Sequence, residues 1–310
     1  MFHRILVPID GSSRGGDAIQ TAAQLADHFG GDLVLLRVEG ALAPLGQVLA
    51  DHRALERQVS DLRQRGLRVH HTVEFGRPDR SIADGAEAER VSLIVLAPHH
   101  RTRLEAFWHP GVVSHLLGHT PVPLLVLPES AAKQPETHPL GIAGSLILAP
   151  LDGSDLAERA LPYAVAFARA YARPLLLVYV IPAPGYMGAT AESLLADADY
   201  VTRAEADAHA YLCAVRGRLG RDHPDLHIQS MILSGEPWRE LLRCAETHDG
   251  SLVVMSTHGR TGVRRALLGS VAGHLARACP LPLLIVPPDA GTRGQAIPEP
   301  LRTASVASQR

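Results

Sequence analysis

Aromatic side chains are scarce in this sequence: Phe, Tyr and Trp together make up 4% of its 310 residues. Any core must therefore be aliphatic, built from Leu, Val, Ile and Ala, which suits sheets covered by helices on both faces. Cysteine is scarcer still. Cys213, Cys244 and Cys279 are far apart and odd in number, and their spacing fits neither a disulfide framework nor a metal site. They read as small core residues in helical patterns, and a reducing cytoplasm is the expected compartment. Excess charge is missing too: 30 Lys and Arg against 32 Asp and Glu leave a net charge of -2. No basic domain is present to hold nucleic acid by bulk electrostatics. No apolar run approaches the ~20 residues that span a bilayer, so no membrane partner is expected. The chain opens directly on the strand-like His3–Ile9, without a signal-peptide pattern. Neither common nucleotide loop occurs: there is no Gly-x-x-x-x-Gly-Lys-Ser/Thr and no Gly-x-Gly-x-x-Gly.

What is present is a repeat. Ile5-Leu6-Val7-Pro8-Ile9-Asp10-Gly11-Ser12 returns as Ile147-Leu148-Ala149-Pro150-Leu151-Asp152-Gly153-Ser154. Gly76-Arg77-Pro78 returns as Gly235-Glu236-Pro237, and Leu93–Leu96 as Leu252–Met255. Pro123-Leu124-Leu125-Val126-Leu127-Pro128 returns as Pro282-Leu283-Leu284-Ile285-Val286-Pro287. The offset grows from 142 to 159 residues, so the second copy carries 17 more, expected in the Pro- and Gly-rich stretch after Val180. A hydrophobic content of 46% is ample for two cores. The division expected is a first domain over 1–128, a polar linker over 129–144, a second domain over 145–288, and a disordered tail over 289–310.

Each copy alternates strand and helix patterns. Strands are predicted over about 4–9, 32–38, 68–73, 92–97 and 122–127, with helices over about 13–29, 46–65, 79–89 and 111–119 between them. The second copy repeats the strands near 145–150, 174–181, 226–232, 251–256 and 282–286. Such alternation implies an α/β fold: two tandem, doubly wound, five-stranded parallel sheets with right-handed crossovers. Asp155-x-x-Glu158 reads as a capping box, and Pro162 predicts a kink or a late helix start. The last strand of each copy is an apolar edge that would be sticky if left bare.

The chemistry points to one stretch, Ser256-Thr257-His258-Gly259-Arg260-Thr261-Gly262, continuing through Arg264 and Arg265 to Gly269-Ser270-Val271. An apolar strand precedes it and a helix follows. Glycines allow a ligand close to the backbone. The helix start offers unpaired N–H groups and the positive end of a dipole, which favour an anion such as phosphate. With strand order 3-2-1-4-5, the strand order reverses between the first and fourth strands, where ligands sit at the carboxyl ends. There Asp152, after Pro150 and Leu151, meets the glycine loop. It suits ribose hydroxyls or a base edge; the alternative is a strand-end Asx turn with Gly153.

At this point the chain resembles a tandem universal stress protein. That family's nucleotide motif, Gly-x2-Gly-x9-Gly-Ser/Thr, falls on Ser256, Gly259, Gly269 and Ser270, with serine in place of the first glycine. The resemblance implies a Rossmann-like fold of the adenine nucleotide alpha hydrolase type. It also implies a base site near Pro150, Asp152 and Val180, with phosphates at Gly259, Gly269, Ser270 and Val271. The cofactor implied is ATP, with AMP or ADP as alternatives and Mg2+ as an option, and the resemblance implies that the last strands of the two copies pair with each other, within one chain or in a homodimer. Pro8, Asp10 and Val38 match the pattern in the first copy, but Ala97, His100, Pro110 and Gly111 depart from it. His100 carries a ring where backbone must approach, and Pro110 removes an N–H donor. The first copy is therefore expected to bind nucleotide weakly or not at all.

Other candidates read as structural. His99, His100, His109, His115 and His119 enrich the first copy, and His115/His119 have the i, i+4 spacing of a metal clamp with only Glu105 as a nearby carboxylate. Trp108 and Trp238 read as packing, and His70-His71 as one inward and one outward strand residue. His258 is a candidate base for slow hydrolysis, and Arg260 a phosphate contact. No Gly-x-Ser-x-Gly elbow occurs. The expected function is a nucleotide-binding stress-response protein without a catalytic set. The alternatives are a slow ATPase or phosphotransferase, and a sensor of another small ligand or metal.

Overall fold

The computed structural model describes residues 1–9, 13–40, 45–97, 110–128, 145–182, 193–248, 250–257 and 269–290. Asp10, the linker, residues 183–192, the histidine-bearing segment 98–109 with Trp108, the loop 258–268, and residues 291–310 lie outside them.

The first half runs β1 (Arg4–Ile9), α1 (Ser13–Phe29), β2 (Asp32–Glu39), α2 (Leu45–Gln64), β3 (Val69–Phe75), α3 (Pro78–Ala88), β4 (Leu93–Leu96), α4 (Pro110–His119) and β5 (Leu124–Val126). The second runs β6 (Leu146–Leu151), α5 (Asp155–Glu158), α6 (Leu161–Ala170), β7 (Leu175–Pro182), α7 (Ser193–Asp222), β8 (Ile228–Gly235), α8 (Pro237–Thr247), β9 (Gly250–Ser256), α9 (Ser270–Ala278) and β10 (Leu283–Val286). The ten strands form one sheet in the order β3-β2-β1-β4-β5-β10-β9-β6-β7-β8. Each half thus has the order 3-2-1-4-5, and every pairing within a half is parallel. The two halves meet through β5 and β10, which pair antiparallel with Leu125 opposite Leu284. The apolar fifth strands are therefore central, and β3 and β8 become the outer strands.

The residue pattern explains the layers. Central strands such as β1, β4 and β10 are buried on both faces, so they read as continuous aliphatic runs rather than alternating ones. Ile5, Val7 and Ile9 face one core, shared with α1, α2, α5, α6 and α7; Leu6 faces the other, shared with α3, α4, α8 and α9. The outer strands β3 and β8 are mostly half-exposed. On β3 the two adjacent histidines divide between the faces: His71 lies beside His52 of α2, and His70 bonds Glu89 at 3.0 Å.

Two local readings change and one holds. Ser154, not Asp155, caps α5: its hydroxyl accepts from the Ala157 N–H at 3.2 Å. The serine is one residue earlier and already outside helical geometry, which is what a cap requires. Pro162 does delay a helix, because α5 stops at Glu158 and α6 begins at Leu161 with the proline in its first turn, where no donor is lost. Much of the extra length of the second copy lies in α7, which has 30 residues against 20 in α2, rather than in the stretch before it. A helix absorbs added residues with its backbone hydrogen bonds satisfied internally.

The few aromatics are concentrated where the halves meet. Phe2 lies 5.1 Å from Phe29, 5.5 Å from Phe167 and 6.1 Å from Tyr163. Phe29 also touches Phe167 at 5.8 Å, and His28 stacks on Tyr171 at 5.0 Å. The β1 end and α1 are thereby packed against α6, giving one core across both halves. Because Phe167 is fully buried, Phe167→Ala should cost about 3–5 kcal/mol, and Phe29→Ala on the other half somewhat less. Both variants should lower the midpoint of a single denaturant transition, followed by circular dichroism. Two separate transitions would show that the halves do not share a core.

Candidate functional site

The strand order reverses between β1 and β4 and again between β6 and β9, which puts a crevice at the carboxyl ends of those strands. At the second of these points the structure has a cavity of about 270 Å3. It brings together residues far apart in sequence: Pro150, Leu151 and Asp152 at the end of β6, Val180 near the end of β7, Ser256 ending β9, and Gly269, Ser270 and Val271 opening α9. Of the residues picked out from sequence, these eight line the cavity. His258, Gly259, Arg260, Gly262, Arg264 and Arg265 lie outside the described residues.

Asp152 has the Asx-turn geometry that sequence left as an alternative. Its Oδ1 accepts from the Ser154 N–H at 3.0 Å and from the Ser154 hydroxyl at 2.7 Å. Gly153 supplies the positive φ, +85°, that lets the chain turn there. The turn and the cavity position are compatible: the same bonds that end β6 fix the carboxylate at the cavity wall.

The anion end is α9. Its cap residue Gly269 carries no side-chain cap, and its N–H donates to the Thr257 carbonyl at 3.0 Å, tying the helix start to the end of β9. The first intrahelical bond is from the Gly273 N–H to the Gly269 carbonyl at 2.7 Å. The preceding amides of Ser270, Val271 and Ala272 thus have no acceptor within the helix, and all three residues line the cavity. Donors and the positive dipole end converge there, as an anionic group requires. Ser256 is 5% exposed, and its hydroxyl has no hydrogen-bond partner.

The remaining walls come from residues that sequence reading did not single out. Pro237 and Leu241 of α8, Met255 of β9 with Thr257 just after it, and Val178, Tyr179 and Pro182 of β7 are among them, with Ala157 of α5. The signal available was the repeated Gly-x-Pro before α3 and α8, which marks equivalent positions at the two crevices. Tyr179 meets Tyr211 of α7 edge-on at 6.0 Å. Burial, then the neighbouring Glu158 carboxylate, raises the Tyr211 phenol, so it stays protonated. Glu158 itself pairs with Arg218. Trp238 stacks on His274 of α9 at 4.9 Å with Arg239 over its ring, so it packs α8 on α9, as expected. Asp152 is the only carboxylate on the cavity wall among the described residues, and no histidine, lysine or cysteine lines it there. Nor do the described residues hold a group of three metal-ligating side chains.

The first half differs at matching positions. Pro110 begins α4 where Gly269 caps α9, and Ala97 stands where β9 ends in Ser256. Arg37, at the position of Tyr179, is clamped between Glu39 at 2.7 Å and Asp51 at 2.6 Å. The His115/His119 pair is stacked at 3.9 Å, with His119 Nδ1 bonded to the His115 carbonyl at 2.8 Å. Stacked in this way, the two rings do not aim two nitrogens at one point. His115 instead faces Asp79 at 3.6 Å, and burial lowers its pKa.

Comparison with known proteins fits this geometry. The model of the universal stress protein family matches the chain twice, over residues 1–128 and 146–287. A universal stress protein of Thermus aquaticus is 31% identical over 143 residues, covering 45% of this chain and 96% of that protein. One of Methanocaldococcus jannaschii is 28% identical over 140 residues, covering 45% of this chain and 80% of that protein. Among solved structures, a universal stress protein of Archaeoglobus fulgidus superposes with a TM-score of 0.69 at 17% identity, covering 93% of this chain and 99% of that one. A putative universal stress protein of Pseudomonas aeruginosa gives 0.67 at 23% identity, covering 93% and 94%. No helix among the described residues is long and apolar enough to cross a membrane. With the family matched in both halves and its α/β architecture present across the sheet, this chain belongs to the universal stress protein family.

Proposed function

We propose that the second half binds an adenine nucleotide, ATP or AMP, in the cavity between β6 and β9, and that the protein acts as a stress-response regulator through that binding. The observation that carries this reading is the convergence of uncapped α9 amides, the fixed Asp152 carboxylate and an unpartnered Ser256 hydroxyl on one cavity. The base lies toward Asp152 and Val180, and the phosphates toward Gly269, Ser270 and Val271. Gly259, Gly262, His258 and Arg260, outside the described residues, are assigned to the phosphates by their place in the sequence motif. The first half is a structural or regulatory partner: Pro110 offers no N–H at the helix start, and Arg37 is already neutralised.

Regulation through binding needs only that nucleotide prefer one conformation or assembly over another. Hydrolysis needs more: a base or water-positioning group, and usually a metal held by carboxylates. Asp152 alone lines the described cavity with such chemistry, and its Oδ1 is engaged by Ser154.

Two outcomes are expected. Purified wild-type protein, denatured and assayed by mass spectrometry, should release bound adenine nucleotide, and Gly259→Val should release none, because its side chain fills the backbone approach. Wild-type protein without nucleotide would remove the reading. Ser270→Asp places a carboxylate at the α9 start. It should hold or raise the stability of the nucleotide-free protein, by about 0.3–1 kcal/mol, while weakening nucleotide binding at least about tenfold, read by calorimetry. Equal affinity in this variant would move the phosphates away from α9.

A further inference from the structure

Two serines of β9 are buried with hydroxyls that have no partner, Ser251 and Ser256. A hydroxyl withdrawn from water without a replacement bond carries a desolvation cost. For such a group to stand at the end of a core strand, something outside the described fold has to satisfy it, or the cost is simply borne.

The internal repeat separates the two cases. Ser251 matches Ser92, whose hydroxyl donates to the Arg4 carbonyl at 2.9 Å and accepts from the Arg4 N–H at 3.0 Å. In the second half that role is empty, and Ser251, fully buried at the amino end of β9, does not line the cavity. Ser256 matches Ala97, which is buried to nearly the same extent at the end of β4. The same strand in the same sheet order therefore accepts a methyl group there, so the fold does not require a hydroxyl at this position. Unlike Ser251, Ser256 is on the cavity wall.

Its place in the sheet says which part of a ligand it would meet. β9 lies beside β6, whose end carries Asp152, and Thr257, the next residue, holds the start of α9 through the Gly269 N–H. Ser256 thus stands between the carboxylate end of the cavity and the amide end. In a nucleotide with its base at one and its phosphates at the other, the atoms between them are the ribose and the α-phosphate.

We propose that the Ser256 hydroxyl hydrogen-bonds the ribose–α-phosphate segment of the nucleotide, so that this position trades stability of the empty protein for affinity. The inference rests on the nucleotide reading of the cavity. AMP and ATP share this segment, so both should depend on Ser256 alike, whereas contacts to the terminal phosphates would separate them.

The test compares wild type, Ser256→Ala and Ser251→Ala by calorimetric titration with AMP and with ATP, and by thermal melting without ligand. Ser256→Ala should melt no lower than wild type and lose about three- to tenfold in affinity for both nucleotides, the range of one hydrogen bond. Ser251→Ala should keep both affinities within about twofold of wild type. Ser256→Ala with unchanged affinity, or with a loss confined to ATP, or melting well below wild type, would overturn the inference while leaving nucleotide binding intact. Wild-type protein that binds neither nucleotide would remove the cavity reading itself, and this inference with it.

Discussion

The rest of the molecule depends on the short antiparallel contact between β5 and β10. Three residue pairs, with Leu125 opposite Leu284 at their centre, convert two five-stranded sheets into one of ten. Aliphatic edges that would otherwise invite foreign strands are covered by each other. The aromatic cluster of Phe2, Phe29, Phe167 and Tyr171 then closes the joint from one side. Because the contact is antiparallel and all others are parallel, the strands of the two halves run in opposite directions. Their carboxyl ends, where doubly wound sheets place ligands, open on opposite edges of the sheet.

At the edge belonging to the second half, the local chemistry is economical. The turn that ends β6 fixes Asp152, and the Gly269 N–H ties the start of α9 to the Thr257 carbonyl just past β9. Neither device needs a long side chain. A helix start left without a cap is a small cost in an empty protein, and one that an anionic ligand removes. The two halves differ where this matters. Proline replaces the capping glycine, alanine the buried serine, and an arginine held by two carboxylates the tyrosine of the cavity wall.

Strand positions and order were legible because buried parallel strands are continuous aliphatic runs, and because the chain states its pattern twice. The crevice followed from that order, and so did the meeting of Asp152 with Gly269 and Ser270. The aromatic seam was not legible. Phe2, Phe29 and Phe167 are isolated in sequence, and only the antiparallel joint brings α1 against α6. The capping residue of α5 was read one position late, since Ser154 and Asp155 are both good caps and only the backbone angles separate them. The contribution of Leu241 was also hidden, because it depends on how α8 packs over β7 and β9 rather than on any local motif.

The β5–β10 contact joins segments of one polypeptide, and its thermodynamics differ from those of a subunit interface. Association between free subunits weakens on dilution, while a tethered contact sees an effective concentration on the order of millimolar whatever the abundance of the protein. The half with Ser256 is thus held permanently beside the half with Ala97, in a fixed one-to-one ratio. Homotypic exchange, which would produce pairs of two like halves, is suppressed by covalent stoichiometry.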